Sequence, residues 1–285
     1  MGNAVTINQM SKGLGKLETK WSMVSGTVTG RSHLKKDLPC QDKVYKLHAN
    51  GVSIIVVADG AGSSPYSDQG AAIVSEAVAW MLSDCFDDLL DAGQEQASER
   101  IIQTALQAIE ELPGFEQPAG NYASTLLFAA VKGEAYFAGH LGDGVIGLEQ
   151  AGEREILSYP DNGEYVNTTY FTTSKDAKAR LRLYYGHSED ISGFILMSDG
   201  AAESLYNRKE QQLAVAVSRI WDWMREHSAD VVEKALLSNL ETLIREQTTD
   251  DCAVALMCAV QDKLGAEEAL EREAQEETGT RLNDV

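Results

Sequence analysis

Two apolar runs in this chain end in the same way. Ile54-Ile55-Val56-Val57-Ala58 leads into Asp59-Gly60, and Phe194-Ile195-Leu196-Met197-Ser198 leads into Asp199-Gly200. Unbroken apolar runs of this length predict strands buried on both faces. Cys252 to Val260 reads as a third such strand. Weaker alternation predicts an edge strand over Trp21 to Val28. Val44 to His48 and Val52 to Ala58 form a hairpin around Ala49-Asn50-Gly51. Ser124 to Val131 and Ala135 to Ala138 form another around Lys132-Gly133-Glu134, followed by a strand over Gly144 to Leu148.

Helical spacing appears in four places. After Ser67, Ile73, Val74, Ala77, Val78 and Met81 fall on one face. Over Ala97 to Leu112, Ile101, Ala105, Ile109 and Leu112 do the same. Two more helices are predicted over Glu210 to His227 and Asp230 to Glu246, the last with Asp230 as N-cap. Pro113 to Gly120 is a loop by composition. Ser158 to Ser192 shows no clear period and reads as a surface excursion. Strands, two helices, strands, two helices, strand is not βαβ alternation. It predicts sheets covered by helices in layers.

Composition narrows the class. With 285 residues and 44% hydrophobic content, the chain can bury a sizeable core. No apolar run approaches the ~20 residues that span a bilayer. There are 44 acidic residues against 24 basic, a net charge of −20. That argues against nucleic acid and anionic membranes as partners. Four scattered cysteines without a CxxC pair predict neither a disulfide framework nor a zinc site, and a cytoplasmic setting. Residues 1–20 read as a flexible leader and 21–261 as the folded domain. Residues 262–285 read as an acidic tail, with three basic against eight acidic residues.

Five acids fall at predicted strand ends: Asp42, Asp59, Asp143 (in Gly142-Asp143-Gly144), Asp199 and Asp250 of Asp250-Asp251. Any one alone reads as a turn residue. Together they predict a shared site, and carboxylates that share a site repel unless cations hold them. An all-oxygen donor set selects Mg²⁺ or Mn²⁺ over zinc.

Taken in order, Gln41-Asp42, Val57-Ala58-Asp59-Gly60-Ala61-Gly62, Ala123-Ser124-Thr125-Leu126, Gly142-Asp143-Gly144, Met197-Ser198-Asp199-Gly200 and Asp250-Asp251-Cys252-Ala253-Val254 resemble the successive motifs of the 2C-type metal-dependent Ser/Thr protein phosphatases. The likeness spans Trp21 to Val260. Ser32-His33 followed by Pro39-Cys40-Gln41-Asp42 is similar to a bacterial branch. The resemblance implies an α+β fold, a four-layer α-β-β-α sandwich whose central antiparallel β-sandwich is flanked by helix pairs. It implies two Mn²⁺ or Mg²⁺ ions per site and a weaker third. Asp59 would bridge the two metals, the Gly60 carbonyl would ligate one, and Asp199 and Asp250 the other. Asp143 with Asp199 would hold the third metal. Asp42 would support the cluster from behind, with Gln41 beside it.

The activity implied is hydrolysis of phosphoserine and phosphothreonine in proteins by a metal-activated water, with Asp59 and Asp199 as catalytic residues. The partners implied are a phosphoprotein substrate and a cognate Ser/Thr kinase, and the protein would be a monomer. A catalytically silent phosphoprotein-binding relative and a small-molecule phosphatase are the alternatives.

Three positions depart from the family pattern. No arginine stands at the usual phosphate-binding place, which leaves Arg31, His33 and Lys35 as candidates, with His33 preferred. Ala61 stands where some members carry a histidine. Asp250-Asp251 replaces Asp-Asn. Tyr165 to Tyr185 falls in the family's variable flap, where Tyr170, Phe171, Tyr184 and Tyr185 line either a binding surface or the core.

Overall fold

The computed structural model describes residues 19–161 and 169–260. The predicted leader lies outside these residues but for its last two positions, as do the acidic tail and residues 162–168 of the flap. Contacts separate a unit over Trp21–Ala259, which holds both sheets and their covering helices, from the terminal segments.

In chain order the elements begin with β1 (Lys20–Val28), the short helix α1 (Arg31–Leu34), β2 (Lys43–Ala49) and β3 (Val52–Ala58). Helices α2 (Ser67–Asp91) and α3 (Gly93–Glu110) follow, then β4 (Leu126–Lys132), β5 (Ala135–Leu141), β6 (Val145–Gln150) and β7 (Glu153–Ser158). Next come α4 (Ala177–Arg180), β8 (Arg182–His187), β9 (Ile191–Met197) and α5 (Asp199–Leu205). The ribbon β10 (Tyr206–Asn207) and β11 (Gln212–Leu213), helices α6 (Val215–Glu226) and α7 (Ala229–Asn239), and β12 (Cys252–Val260) complete the unit.

Two five-stranded sheets carry the fold, ordered β1-β12-β9-β6-β7 and β2-β3-β4-β5-β8. Every strand pair in the second sheet is antiparallel. So are the β12–β9, β9–β6 and β6–β7 pairs of the first. The predicted first hairpin closes through Asn50 and Gly51, both at positive φ, between the paired Ala49 and Val52. That geometry matches the right-handed twist of the strands.

Ile55, Val57, Leu127 and Ala129 face Phe194, Leu196, Ala253 and Ala255 between the sheets. Ile54, Val56, Phe128 and Phe137 face the other way, onto Val74, Val78, Leu82 and Ile101 of α2 and α3. Strand β3 is therefore covered on both sides, which is why it reads as an unbroken apolar run. On the outer face of the first sheet, Trp221 of α6 lies over Gly193, its indole Nε1 donating to the Phe194 carbonyl at 3.4 Å. Leu237 and Leu240 meet Gly26. The layers run helix pair, sheet, sheet, helix pair, as the resemblance implies.

Several boundaries differ. Asp230 does not cap α7; the N-cap is Ser228, and Asp230 sits in the first turn. The helix predicted to Glu246 gives way at Leu240–Ile244 to a π-helical turn. The helix predicted from Glu210 starts at Val215, because β10 and β11 occupy the preceding residues. The buried stripe of α2 runs through Val74, Val78, Leu82, Phe86 and Leu89, with Ile73 and Met81 at its margin. The helix touches α3 as well as the sheet, so its apolar face is wider than one contact requires. The excursion without a period contains α4, β8 and the start of β9.

Trp221 is fully buried between α6 and the sheet. Trp221→Ala should lower unfolding stability by about 3–5 kcal/mol in urea titration, the usual cost of deleting a buried aromatic. A loss below about 1 kcal/mol would contradict this packing.

Candidate active site

The strand registers bring the predicted acids to one end of the sandwich. Lys43 pairs with Ala58, so Asp42 and Asp59 flank the same rung of the second sheet. Met197 pairs with both Val145 and Val254, so Asp143, Asp199 and Asp250 gather at the matching end of the first. Asp42 is buried, Asp59, Asp143 and Asp199 are half-buried, and Asp250 is exposed. The acids thus run from buried to exposed across one end of the sandwich, as in a cleft with Asp42 at its floor and Asp250 at its rim.

Backbone contacts fix each acid. The Asp59 amide donates to Thr125 Oγ1 at 2.9 Å, and the Thr125 amide returns to the Asp59 carbonyl at 2.8 Å. Gly60 bridges to Ser124, and the Ala61 amide donates to the Ala123 carbonyl at 2.9 Å. Thr169 Oγ1 donates to Asp143 Oδ2 at 2.5 Å. Asp199 Oδ1 accepts from the Gly200 amide at 2.6 Å. Ser198 Oγ accepts from the Ala253 amide at 2.9 Å, joining β9 to β12 directly behind the site.

Burial and mutual repulsion change how these groups hold protons. Desolvation, followed by Asp42, Asp199, Asp143 and Asp250, pushes Asp59 well above the carboxylate range. Desolvation pushes Asp42 up to about 8, with Asp251 and Asp199 adding repulsion and the neighbouring Ser198 and Asp59 side chains opposing it. Asp199 rises to about 6, again first through desolvation, then through Asp143 and Asp250. Asp250 is raised mainly by desolvation and lowered in part by nearby His33.

Asp42 Oδ2 is buried without a hydrogen-bond partner. Among the described residues, no three Asp, Glu, His or Cys side chains form a ready-made coordination shell. The donor set still fits a hard divalent cation. It consists of carboxylate and carbonyl oxygens, it lies in a partly dehydrated cleft, and its members repel one another.

Asp251, beside the predicted ligand Asp250, has a different task. Its buried carboxylate accepts the Gly30 amide on Oδ1 at 2.6 Å and the Gln41 amide on Oδ2 at 2.6 Å. His33 Nδ1 also meets Oδ2, at 2.9 Å. Gly30 packs so tightly here that a Cβ would lie 2.2 Å from the Asp250 carbonyl carbon. A Cβ on Gly200 would lie 2.1 Å from the Asp251 carbonyl oxygen. Arg31 turns away from the cleft floor, its Nε donating to the Thr248 carbonyl at 2.8 Å. Lys35 is exposed at the C-cap of α1.

The flap aromatics divide. Tyr184 bonds Ser158 between the sheets, and Tyr170 packs against the helix-side core beneath Arg180. Tyr185 is exposed. Sequence reasoning left Ser124-Thr125 without a role and missed Thr169, Ser198 and the hub at Asp251. Their partners stand 26 to 221 residues away, so no local signal marks them.

Residues 29–241 match a family model described as Protein phosphatase 2C. Serine/threonine-protein phosphatase 3 of Escherichia coli (strain K12) is 26% identical over 256 residues, which cover 83% of this chain and 97% of that protein. The serine/threonine phosphatase Stp1 from Staphylococcus aureus superposes with a TM-score of 0.58 at 13% identity, covering 86% of this chain and 97% of that one. RsbX in complex with magnesium superposes with a TM-score of 0.52 at 15% identity, covering 85% and 99%.

The proton holding has a measurable consequence. Unfolded, Asp42 and Asp199 ionise near pH 4; folded, they keep protons to about 8 and about 6. The metal-free fold then binds more protons than the unfolded chain, so its stability falls as pH rises through this interval. In EDTA the melting temperature should drop between pH of about 5 and 8, and Mn²⁺ or Mg²⁺ should reverse most of the drop. A melting temperature that rises with pH in EDTA would contradict this.

Proposed function

This chain belongs to the protein phosphatase 2C family and is a protein serine/threonine phosphatase, and from that premise we propose that its acid-lined cleft is a binuclear Mn²⁺ or Mg²⁺ site. One observation carries the proposal. Carboxylates from five strand ends face one another in a cleft where burial and repulsion hold several of them protonated. Such a set is costly without cations and favourable with them.

Asp59 and the Gly60 carbonyl would hold one ion, with Asp59 shared, and Asp199 and Asp250 the other. Asp143 with Asp199 would take a weaker third. Asp42 would orient Asp59 and Asp199 from behind. Cations held there would lower the pKa of a bound water and clamp phosphoryl oxygens, which suits hydrolysis without a covalent intermediate. No cysteine is needed as nucleophile: burial pushes the Cys40 and Cys252 thiols up to about 12.

The chain's own groups do the positioning. Thr125 and Ser124 fix the Asp59–Gly60 turn. Ser198 ties the Asp199 strand to the Asp250 strand. Asp251 ties the 30–41 segment, with Arg31 and His33, against the cleft. His33, held beside Asp250, is the best-placed of the candidates to meet the phosphorylated side chain.

The substrate is a phosphoserine or phosphothreonine protein, made by a Ser/Thr kinase that opposes this enzyme. Residues 21–261 form the phosphatase domain, and the enzyme acts as a monomer. Four free cysteines support a reducing cytoplasmic setting. Among the described residues no helix is long and apolar enough to cross a membrane.

Asp59→Asn and Asp199→Asn should each lower Mn²⁺-dependent release of phosphate from a phosphothreonine peptide on the order of 10³-fold. Both should keep the far-ultraviolet circular dichroism of the parent and melt no lower than it in EDTA, because an amide is close in shape to the protonated carboxyl and cannot be forced to ionise in the crowded site. Near-normal turnover in both variants would sink the metal assignment.

A further inference from the structure

The turn after the Asp59–Gly60 pair offers no side chain able to donate a proton near neutral pH: it continues Ala61-Gly62-Ser63. A serine or threonine alkoxide is a poor leaving group, and a general acid at that oxygen contributes on the order of 10²–10⁴-fold. Of the five histidines, His48 and His187 lie at the far ends of β2 and β8, as their pairing with Ser53 and Ala135 requires. His140 is sealed between the sheets against Ser158. His227 ends α6, exposed. His33 alone stands beside the acid cluster, its Nδ1 2.9 Å from Oδ2 of Asp251, the neighbour of Asp250.

The setting of His33 is that of a held donor. Asp251 already accepts two backbone amides, so toward the imidazole it acts as an acceptor and Nδ1 must donate. That contact fixes the ring plane and leaves Nε2 with no protein partner among the described residues. The side chain keeps 13% of its surface exposed while Asp251 keeps 1%, so the ring meets solvent and the carboxylate that holds it does not. The segment that carries His33 is anchored as well. The Ser32 amide donates to the Thr249 carbonyl at 2.9 Å, and Arg31 is bonded to Thr248. A buried carboxylate orienting a histidine is the arrangement that acid–base catalysis uses to fix which ring nitrogen acts.

We propose that His33 protonates the leaving seryl or threonyl oxygen, and that Asp251 is the positioning residue that holds its ring. The inference rests on the phosphatase reading above. In the step, the bond between phosphorus and the side-chain Oγ breaks with its electron pair passing to Oγ. The Nε2 proton of the imidazolium moves to that oxygen. A water oxygen forms the new bond to phosphorus and gives a proton to solvent, and the imidazole regains a proton from solvent. Inorganic phosphate and a free hydroxyl result.

The test compares two substrates on the full-length, Mn²⁺-loaded enzyme. A phosphothreonine peptide needs its leaving oxygen protonated; p-nitrophenyl phosphate does not, because its phenolate is a stable anion. His33→Gln should lose on the order of 10²-fold on the peptide and markedly less on p-nitrophenyl phosphate. Calorimetric Mn²⁺ affinity should stay that of the parent. Asp251→Asn should show the same asymmetry, and the Nδ1 resonance of His33 should shift in its ¹⁵N spectrum even without metal. Equal losses on both substrates, or none on either, would overturn the assignment while leaving the phosphatase reading intact. A parent enzyme that hydrolyses neither substrate would overturn both.

Discussion

Like charges gathered where water cannot fully reach them are the constraint on which this structure turns. Asp42 and Asp59 flank one rung of the second sheet, and Asp143, Asp199 and Asp250 reach the same cleft from the first. Desolvation is the first cause of every raised carboxylate there, and the neighbouring acids come after it. A fold keeps such a cluster only if the frame beneath it is rigid and the charge has a use. The frame is the double-sided burial of β3 and β9 between helices and the opposite sheet. The use is cation binding, which turns repulsion into affinity.

Adjacent acids in this cleft have opposite duties because their surroundings differ. Asp250 is exposed, with one oxygen taken by the Asp251 amide and the other without a hydrogen bond among the described residues. Asp251 is buried and spends its carboxylate on three N–H groups of the 30–41 segment. In the proposed site, neutralising the first would remove a ligand. Neutralising the second loosens the wall that carries His33. The same chemical group would thus serve as metal ligand in the proposed site and serves as staple one residue on, according to its burial and partners.

Much of this was legible in the sequence, for a physical reason. The strands that hold the site are covered on both faces, so β3, β9 and β12 read as unbroken apolar runs that stop at acids. Their order along the chain was enough to point to the family. Less legible were the pieces whose partners are distant or whose faces differ. Strand β7 is an edge strand with alternating exposure, and β8 lies within a segment that shows no period. Ser228, which caps a helix as readily as Asp, precedes α7, and Asp230 falls in the first turn, where a negative charge also suits the helix N-terminus, so the two positions are hard to tell apart in the sequence. Asp251 read only as a departure from the family's Asp-Asn pattern, because its partners lie 210 to 221 residues away.

The central claim is that the carboxylates hold protons in the metal-free fold and give them up to cations. It is tested most directly by calorimetric titration of Mn²⁺ into EDTA-stripped protein, in buffers of different ionisation enthalpy at one pH. The account predicts tight binding whose apparent heat varies with the buffer in the sense of net proton release. Heats that do not depend on the buffer, or binding that survives unchanged in Asp59→Asn, would contradict it.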